Sequence, residues 1–391
     1  MSAADATEII ERVQRRLAEQ GASGCAGDVD TARMVREEAG VISDVDVLTI
    51  LRRLRHESIG AGPLEPVLAV PGVTDVVVNG PEEVWFDRGQ GLERAQVAFV
   101  SDAEVRRLAT RLALACGRRL DDAQPFTDGR LAREDGTSIR VHAVLSPPSD
   151  SGTCLSLRLL RQAATTLDDL VHTGTMPPRI AELLRRIVAS KRAFLVVGGT
   201  GSGKTTLLGA LLAEVEPARR IVCIEDTAEL KPPHPHMVNL VSRARNVEGS
   251  GEITMSDLLK QALRMRPDRI VIGEIRGAEV VDLLAALNTG HDGGAGTIHA
   301  NSLTEVPARM EALAALGGLD RAGLHSQMAA AVRVVLSMRK TAAGRRLHQI
   351  GVVNGDTQPV SITPVWDCDR GELAGFAEFA RSVGDAEGGA Q

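Results

Sequence analysis

The sequence predicts an α/β fold in which a parallel sheet is covered by helices on both faces. From about residue 178, short apolar runs typical of buried strands, such as AFLVVGG and RIVIGE, alternate with helical segments such as GKTTLLGALLAEV. This alternation is the pattern of a parallel sheet with helical crossovers. Because ligands of such sheets bind at the C-terminal ends of the strands, we expect the functional residues there.

Changes of pattern divide the 391 residues into four segments. Apolar residues at helical spacing predict a helical extension over residues 1–60. Short apolar runs cut by Pro and Gly, with one helical stretch between them, predict a smaller α/β domain over residues 61–161. A linker with one short helix is expected at 162–177, and the parallel-sheet domain at 178–391.

The composition is that of a soluble globular protein and argues against several classes. Lys and Arg number 45 and Asp and Glu 51, so the formal net charge is -6, and aromatic residues make up 2%. Nucleic-acid binding needs basic faces and stacking platforms, so no nucleic-acid partner is expected. No apolar run is long enough to span a membrane and no signal peptide is visible, which predicts a cytoplasmic protein. The five cysteines form no C-x-x-C pair, so zinc sites and disulfides are not expected.

The most specific motif is GGTGSGKTT, which matches the phosphate-binding pattern G-x-x-x-x-G-K-[ST]. A match by chance is expected only about 0.005 times in a chain of this composition. Glycines let backbone N–H groups close around phosphates, while Lys204 reaches the β- and γ-phosphates and Thr205 offers a hydroxyl to Mg²⁺. The motif therefore predicts binding of a nucleoside triphosphate with Mg²⁺. The predicted binding loop is Gly198, Gly199, Thr200, Gly201, Ser202, Gly203, Lys204, Thr205 and Thr206.

Three carboxylates follow the next strand, in the segment IEDTAEL. Glu225, Asp226 and Glu229 are expected to face the phosphate loop, where they would position Mg²⁺ or water. Asp226 and Glu229 are the candidate metal ligands alongside Thr205, and Glu229 is favoured for the reacting face. A solvated turn remains an alternative for any one of the three.

The strand RIVIGE ends on Glu274. We expect this strand to lie beside the phosphate-loop strand, with Glu274 projecting towards the γ-phosphate. Attack by water on a phosphate needs a carboxylate that orients the water and accepts its proton, and this role is assigned to Glu274. The alternative is a carboxylate that merely caps the strand end.

The segment TGHDGGAGTIHANS contributes two further candidates. Thr297 and His299 alternate along a predicted short strand and are expected to share one face, and His291 and His299 bracket a glycine-rich loop. His299 could sense the γ-phosphate or contact a neighbouring subunit. A structural or exposed histidine remains open.

Arginines of the first α/β domain are candidates for additional cations near the transferred phosphate. Arg130, Arg140 and Arg158 lie on or near its predicted strands. An arginine delivered from another domain or subunit accelerates phosphoryl transfer by ~10³–10⁵ in well-studied cases. Ordinary surface arginines are the alternative.

Taken in order, these motifs and the segment LRMRPDRIVIGEIRG resemble those of secretion-superfamily ATPases over about residues 60–355. The chain is most similar to the Tad/Cpa (TadA/CpaF) pilus-assembly branch and close to the VirB-type ATPases of type IV secretion. The resemblance implies a RecA-like P-loop domain preceded by a PAS-like α/β domain. It also implies a homohexameric ring that binds ATP between the two domains.

The same resemblance implies roles for individual residues and for the whole protein. Glu274 and Glu229 would serve catalysis and Mg²⁺ or water positioning, Arg140 and Arg158 would contact phosphate, and Arg130 matches a further basic position. The expected function is a hexameric ATPase that powers pilus assembly or type II/IV secretion. It would associate peripherally with inner-membrane platform proteins. The alternatives are a nucleic-acid translocase or conjugative-transfer ATPase, an ATP-binding scaffold ring with little turnover, and, less well supported, a small-molecule kinase.

Overall fold

The structure is a computed structural model of the chain. It describes residues 12, 13, 16, 28–39, 46, 47, 50, 60–133, 135–160, 165–243, 245, 251–290, 292–341, 344–355 and 359–384. The chain divides into two compact units, Met1–Arg161 and Gln162–Gln391. Most of the helical extension predicted for residues 1–60 lies outside the described residues, and its longest described element is helix α1, Asp28–Ala39.

The first unit contains a six-stranded antiparallel sheet in the order β3-β2-β1-β6-β5-β4. Its strands are β1 Asp75–Asn79, β2 Val84–Asp87, β3 Leu92–Arg94, β4 Phe126–Ala132, β5 Ser138–Val144 and β6 Cys154–Leu160. A short helix, α2 (Glu65–Leu68), precedes the sheet, and α3 (Asp102–Ala115) follows β3. The apolar face of α3 packs into the core of this unit, with Val105, Leu108 and Leu112 buried. The hydrophobic effect therefore holds this helix against the sheet.

The second unit contains a nine-stranded sheet in the order β15-β14-β13-β12-β7-β11-β10-β8-β9. Its strands are β7 Phe194–Val197, β8 Ile221–Glu225, β9 Met237–Val241, β10 Arg269–Ile275, β11 Ala295–Ile298, β12 Val334–Thr341, β13 Gly344–Asn354, β14 Ser361–Asp367 and β15 Gly371–Glu372. The six strands from β12 to β9 are parallel, and β13, β14 and β15 extend the sheet in antiparallel fashion. The predicted α/β fold is confirmed.

Helices cover both faces of this second sheet. They are α4 Leu167–His172, α5 Pro178–Ala189, α6 Lys204–Ala213, α7 Met255–Ala262, α8 Glu279–Leu287, α9 Val306–Leu316, α10 Arg321–Ala331 and α11 Phe376–Ser382. Along β7, Phe194 and Val196 belong to one buried cluster, and Leu195 and Val197 belong to the other. Alternate side chains thus enter two separate cores, as parallel sheets require. None of the helices in the described segments is long and apolar enough to cross a bilayer.

The strand order corrects one prediction. The strand RIVIGE, which is β10, does not lie beside the phosphate-loop strand β7, because β11 pairs in parallel with both and separates them. Gly296 of β11 lets Ile275 of β10 pack closely against it, because a Cβ added to Gly296 would lie only 2.9 Å from Cδ1 of Ile275. An apolar run predicts a buried strand but does not specify its neighbours, so the sequence pattern could not order these three strands.

The segment predicted as a linker contributes to the core of the second unit. Its short helix is α4, which Thr166 caps by accepting a hydrogen bond from the backbone N–H of Asp169. Leu167 and Leu170 are buried with residues of α5 and α6. Residues 165–177 therefore pack as part of the second unit.

Candidate nucleotide-binding site

The segment between β7 and α6 forms a closed loop whose two fixed glycines are required by its backbone. Gly198 and Gly203 have φ angles of 152° and 97°, which favour glycine. A Cβ added to Gly198 would lie 2.4 Å from the carbonyl oxygen of Met338 and 2.5 Å from Oγ of Ser202. Helix α6 begins directly after the loop at Lys204, so its N-terminal N–H groups face the same space. This arrangement is suited to binding an anion.

Lys204 is folded back onto this loop. Its side chain is buried, and Nζ donates hydrogen bonds to the carbonyl oxygens of Gly198, at 2.9 Å, and Gly199, at 3.1 Å. Burial lowers the pKa of Lys204, and the nearby charge of Glu274 partly opposes this effect. A bound phosphate would compete with the two carbonyl groups for the ammonium group.

Two buried polar atoms at the site lack hydrogen-bond partners within the described part of the chain, Oγ of Ser202 and Oε1 of Glu274. The hydroxyl can donate to a phosphate oxygen, and the carboxylate oxygen can accept a hydrogen bond from bound water. Mg²⁺ usually takes one or two protein oxygens and completes its coordination with substrate phosphates and water. Thr205 lies in the first turn of α6, where its hydroxyl would be the candidate protein ligand. The residues present therefore fit a magnesium nucleotide.

Glu274 lies near the C-terminal end of β10, among three cationic or titratable side chains. Its Oε2 accepts a hydrogen bond from Nη2 of Arg276. Its Oε1 lies in close contact with Nε2 of His299, without the alignment of a hydrogen bond. Burial lowers the pKa of His299, and the positive charge of nearby Lys204 lowers it further. The neutral imidazole is therefore favoured at neutral pH.

A bulge in β10 positions this carboxylate. In the pairing with β11, Ile272 lies opposite Gly296 and Ile275 lies opposite Ile298, so β10 has one residue more than its partner in this interval. Bulges of this kind redirect side chains and are common next to active sites. Thr297 is buried, and its Oγ1 donates to the carbonyl oxygen of Gly273 in the bulge at 2.7 Å. Of the two residues expected to share a face, His299 reaches Glu274, whereas Thr297 holds the backbone.

The three carboxylates after β8 have separate environments. Glu225 is buried and accepts hydrogen bonds from the backbone N–H groups of Glu229 and Leu230 and from the side chain of Asn239. Burial raises the pKa of Glu225. Glu225 therefore organises the turn and is not available to a ligand, whereas Glu229 is exposed.

Arg276 is a site residue to which the sequence analysis assigned no role. Its Nη1 donates to Oδ2 of Asp226 at 2.6 Å and its Nη2 to Glu274, so it connects the ends of β8 and β10. Glu279 fixes the turn by accepting hydrogen bonds from the backbone N–H groups of Arg276 and Gly277. Part of the signal was present in the segment GEIRGAE, which contains Glu274, Arg276 and Glu279. Asp226 therefore reaches the site through Arg276.

Arg345 is a second residue beside the phosphate loop to which no sequence motif assigns a role. It lies on β13, and its Nε donates to the carbonyl oxygen of Gly201 at 3.0 Å, across a sequence separation of 144 positions. No motif of the sequence analysis covers this part of the chain. The contact depends on the pairing of β12 with both β7 and β13, which local patterns do not reveal.

The three candidate arginines of the first unit form one row across its sheet. Arg130 lies directly opposite Arg140, which lies directly opposite Arg158. Arg158 donates to Asp75 at 2.8 Å, Arg140 lies 3.8 Å from Asp128, and Arg130 donates to Oγ of Ser138 at 3.0 Å. Like charges directly opposite each other destabilise a sheet, so this row is suited to an anionic ligand.

Other candidate features lie away from the phosphate loop. A cavity of about 230 Å³ is lined by residues such as Lys191 and Arg269 and lies where β10 begins, not at its Glu274 end. Arg269 is buried there and donates to the carbonyl oxygens of Val188 and Gly293, which indicates a structural role. His291 lies outside the described residues.

A cluster of metal-binding residue types also lies elsewhere, around the end of β14. The oxygens of Asp367 accept hydrogen bonds from the backbone N–H groups of Asp369 and Arg370 and from the side chain of Gln349. This pattern is that of a carboxylate that stabilises a turn. The four described cysteines are free.

Comparison with known proteins identifies the family of this chain. A sequence profile of the type II/IV secretion system protein family matches residues 57–357. The chain belongs to the type II/IV secretion system protein family. A Mycobacterium tuberculosis member whose name refers to conjugal transfer is 59% identical over 352 residues, which are 88% of this chain and 100% of that protein. The conjugal transfer protein TrbB of Rhizobium radiobacter is 32% identical, and the match covers 72% of this chain and 84% of TrbB.

A solved structure with the same fold is the ATPase DotB of Legionella pneumophila. It is 20% identical, has a TM-score of 0.52, and the match covers 70% of this chain and 75% of DotB. At this level of identity the likeness concerns the fold alone. The mixed α/β fold thus matches that of DotB.

Proposed function

We propose that this member of the type II/IV secretion family hydrolyses ATP with Mg²⁺, using Glu274 as the general base. The observation that carries the proposal is the convergence of Glu274, His299 and Lys204 beside a glycine loop closed for an anion. In this proposal the second unit is a RecA-like P-loop domain and the first is a PAS-like domain.

Each group has a role that its chemistry supports. The loop N–H groups and Lys204 bind the β- and γ-phosphates. Thr205, Asp226 and Glu229 would hold Mg²⁺, which neutralises phosphate charge when bound. Glu274 accepts the proton of the attacking water. Neutral His299 orients the γ-phosphate or the water by hydrogen bonding. Arg276 would release Glu274 for this role by exchanging its contact for a phosphate oxygen.

The proposal extends to assembly. Arg130, Arg140 and Arg158 would contact nucleotide phosphates from the first unit, in a homohexameric ring. Turnover would then move one domain against the other and power Tad/Flp-type pilus assembly or type II/IV secretion. The protein would work in the cytoplasm, bound peripherally to inner-membrane platform proteins.

Conjugative transfer is the second candidate function, favoured by the names of the Mycobacterium tuberculosis relative and of TrbB. The two candidates differ in what stimulates hydrolysis. A motor that acts on DNA should turn over faster with DNA present, whereas a pilus motor should be indifferent to it.

The test measures ATP hydrolysis and ring size for wild type, Glu274→Gln and Lys204→Ala, with and without DNA. Exposed Glu378 on α11 provides a matched control, Glu378→Gln. We expect a hexamer whose turnover falls at least about a hundredfold in Glu274→Gln while ATP binding survives, because the base acts only in the chemical step. Lys204→Ala should lose ATP binding, and Glu378→Gln should behave as wild type. Normal turnover in Glu274→Gln would place the base elsewhere, with Glu229→Gln the next variant to test.

A further inference from the structure

The hairpin formed by β12 and β13 lies against both ends of the phosphate loop. On β12, the carbonyl oxygen of Met338 would lie only 2.4 Å from a Cβ added to Gly198. From β13, Cδ of Arg345 would lie 3.2 Å from a Cβ on Gly203, and its Nε donates to the carbonyl oxygen of Gly201. Arg345 is thus a charged residue of this hairpin that directly contacts the loop.

The hydrogen bond to Gly201 fixes the direction of the next N–H group. A trans peptide unit points its C=O and N–H in opposite directions. Because Arg345 holds the carbonyl of Gly201, the N–H of Ser202 faces the other way, where it donates a hydrogen bond to the carbonyl oxygen of Gly199 at 3.3 Å inside the loop. Inward-facing N–H groups are those that bind phosphate in such loops. Arg345 therefore orients one donor of the loop.

The positive charge of Arg345 has no carboxylate partner among the described residues. Across the described chain, its side chain makes this one hydrogen bond and no carboxylate pairs with it. In the register of the hairpin it lies directly opposite another cation, Lys340. Like charges directly opposite each other on a sheet are unfavourable. The neighbouring Arg346 points to the other face of the strand and has an acidic neighbour, Asp369, at 3.9 Å.

We propose that Arg345 is a further nucleotide-binding residue, which holds the Gly201–Ser202 peptide and adds positive charge beside the phosphates of a nucleoside di- or triphosphate. The proposal rests on the proposed nucleotide site. Arg345 is a positioning residue that acts on binding, so its loss should raise Kd and KM while kcat changes little.

The experiment measures binding of a fluorescent ADP analogue to the full chain, together with KM and kcat for ATP. The variants are Arg345→Gln and the matched control Arg346→Gln, one residue along the same strand. We expect Kd and KM to rise about tenfold in Arg345→Gln and to stay within about twofold in Arg346→Gln, because hydrogen bonds to charged groups contribute this much. The effect should shrink at high salt, since screening weakens attraction between exposed charges.

Lys204→Ala separates the two proposals. If wild type does not bind the analogue, or if Lys204→Ala binds it as well as wild type, the nucleotide site itself is wrong. If binding depends on Lys204 but Arg345→Gln matches Arg346→Gln, the role of Arg345 is overturned. Thermal midpoints check folding, and Arg345→Lys covers the case in which Arg345→Gln is unstable. This variant keeps the charge and should recover at least half of the lost affinity, and a failure to recover it in a folded protein also overturns the role.

Discussion

Glu225 lies against Gly273: a Cβ added to Gly273 would be 2.6 Å from Cγ of Glu225 and 3.0 Å from its Oε1. Glu225 is held by hydrogen bonds from the backbone and from Asn239, so it has little freedom to move away. The glycine that precedes the proposed base is therefore required by a neighbouring buried carboxylate.

We expect Gly273→Ala to destabilise the second unit by about 1–3 kcal/mol, the usual cost of overpacking a core. Gly209→Ala is the control, because its Cβ would lie 3.6 Å from Leu230, an ordinary contact, in the interior of α6. That change should be neutral or stabilising by up to about 1 kcal/mol. Thermal unfolding measures both, and equal midpoints for the two variants would contradict the steric argument.

Glu225 should give stability an unusual pH dependence. Burial raises its folded-state pKa above the ordinary value of 4.5, so the folded protein holds this proton more tightly than the unfolded chain does. Its contribution is fully present below the unfolded-state pKa and is lost as pH rises through the folded-state pKa. Wild type should therefore lose stability relative to Glu225→Gln as pH rises from 4.5, measured by urea unfolding at a series of pH values.

Asp257 supplies a control of opposite sign for this experiment. Hydrogen bonds from Thr254 lower the pKa of Asp257, so its contribution is present above the unfolded-state pKa and is lost as pH falls through the folded-state value. If wild type instead gained stability relative to Glu225→Gln as pH rises, as it should relative to Asp257→Asn on leaving acid, Glu225 would not be buried as described.

His299 should titrate below its ordinary pKa of 6.5, because it is partly buried and lies near Lys204. NMR of the histidine ring carbons, with the signal assigned by its loss in His299→Gln, measures the midpoint directly. Removing a positive charge favours protonation, so Lys204→Ala should raise the midpoint. A wild-type midpoint above 6.5 would mean that contact with Glu274 dominates over burial.

We expect the arginine row of the first unit to lower the stability of that unit while serving ATP hydrolysis. Arg140→Gln relieves the apposition of like charges, so the unit should be as stable as wild type or more stable, by up to about 1 kcal/mol. If the row binds phosphates in the ring, ATP hydrolysis should fall by roughly 10³-fold. Arg94→Gln, on β3 and outside the row, should leave turnover unchanged. Loss of stability without loss of turnover in Arg140→Gln would assign the row a purely structural role.

Local features of this chain were predictable and non-local ones were not. The phosphate loop could be located because its glycine conformations, its lysine and the helix start all lie within nine residues. The position of β11 between β7 and β10 could not, because strand order depends on pairings between distant segments. The contact of Arg345 with Gly201 was hidden for the same reason. Arg276 lies in the segment GEIRGAE, but Asp226, to which its side chain donates a hydrogen bond, follows a different strand.

The bulge in β10 makes the identity of the proposed base a question of direction as well as of chemistry. Removing Gly273 would leave the strand equally apolar and still carrying its acid, and Ile275 would keep its place opposite Ile298. Glu274 alone would then lie opposite Thr297, where two residues lie now, so the bulge would be lost. The carboxylate would take the direction that a regular strand imposes, and its orientation would be lost while its chemistry was kept. In homologous chains, the length of this strand should therefore be as restricted as the glutamate itself.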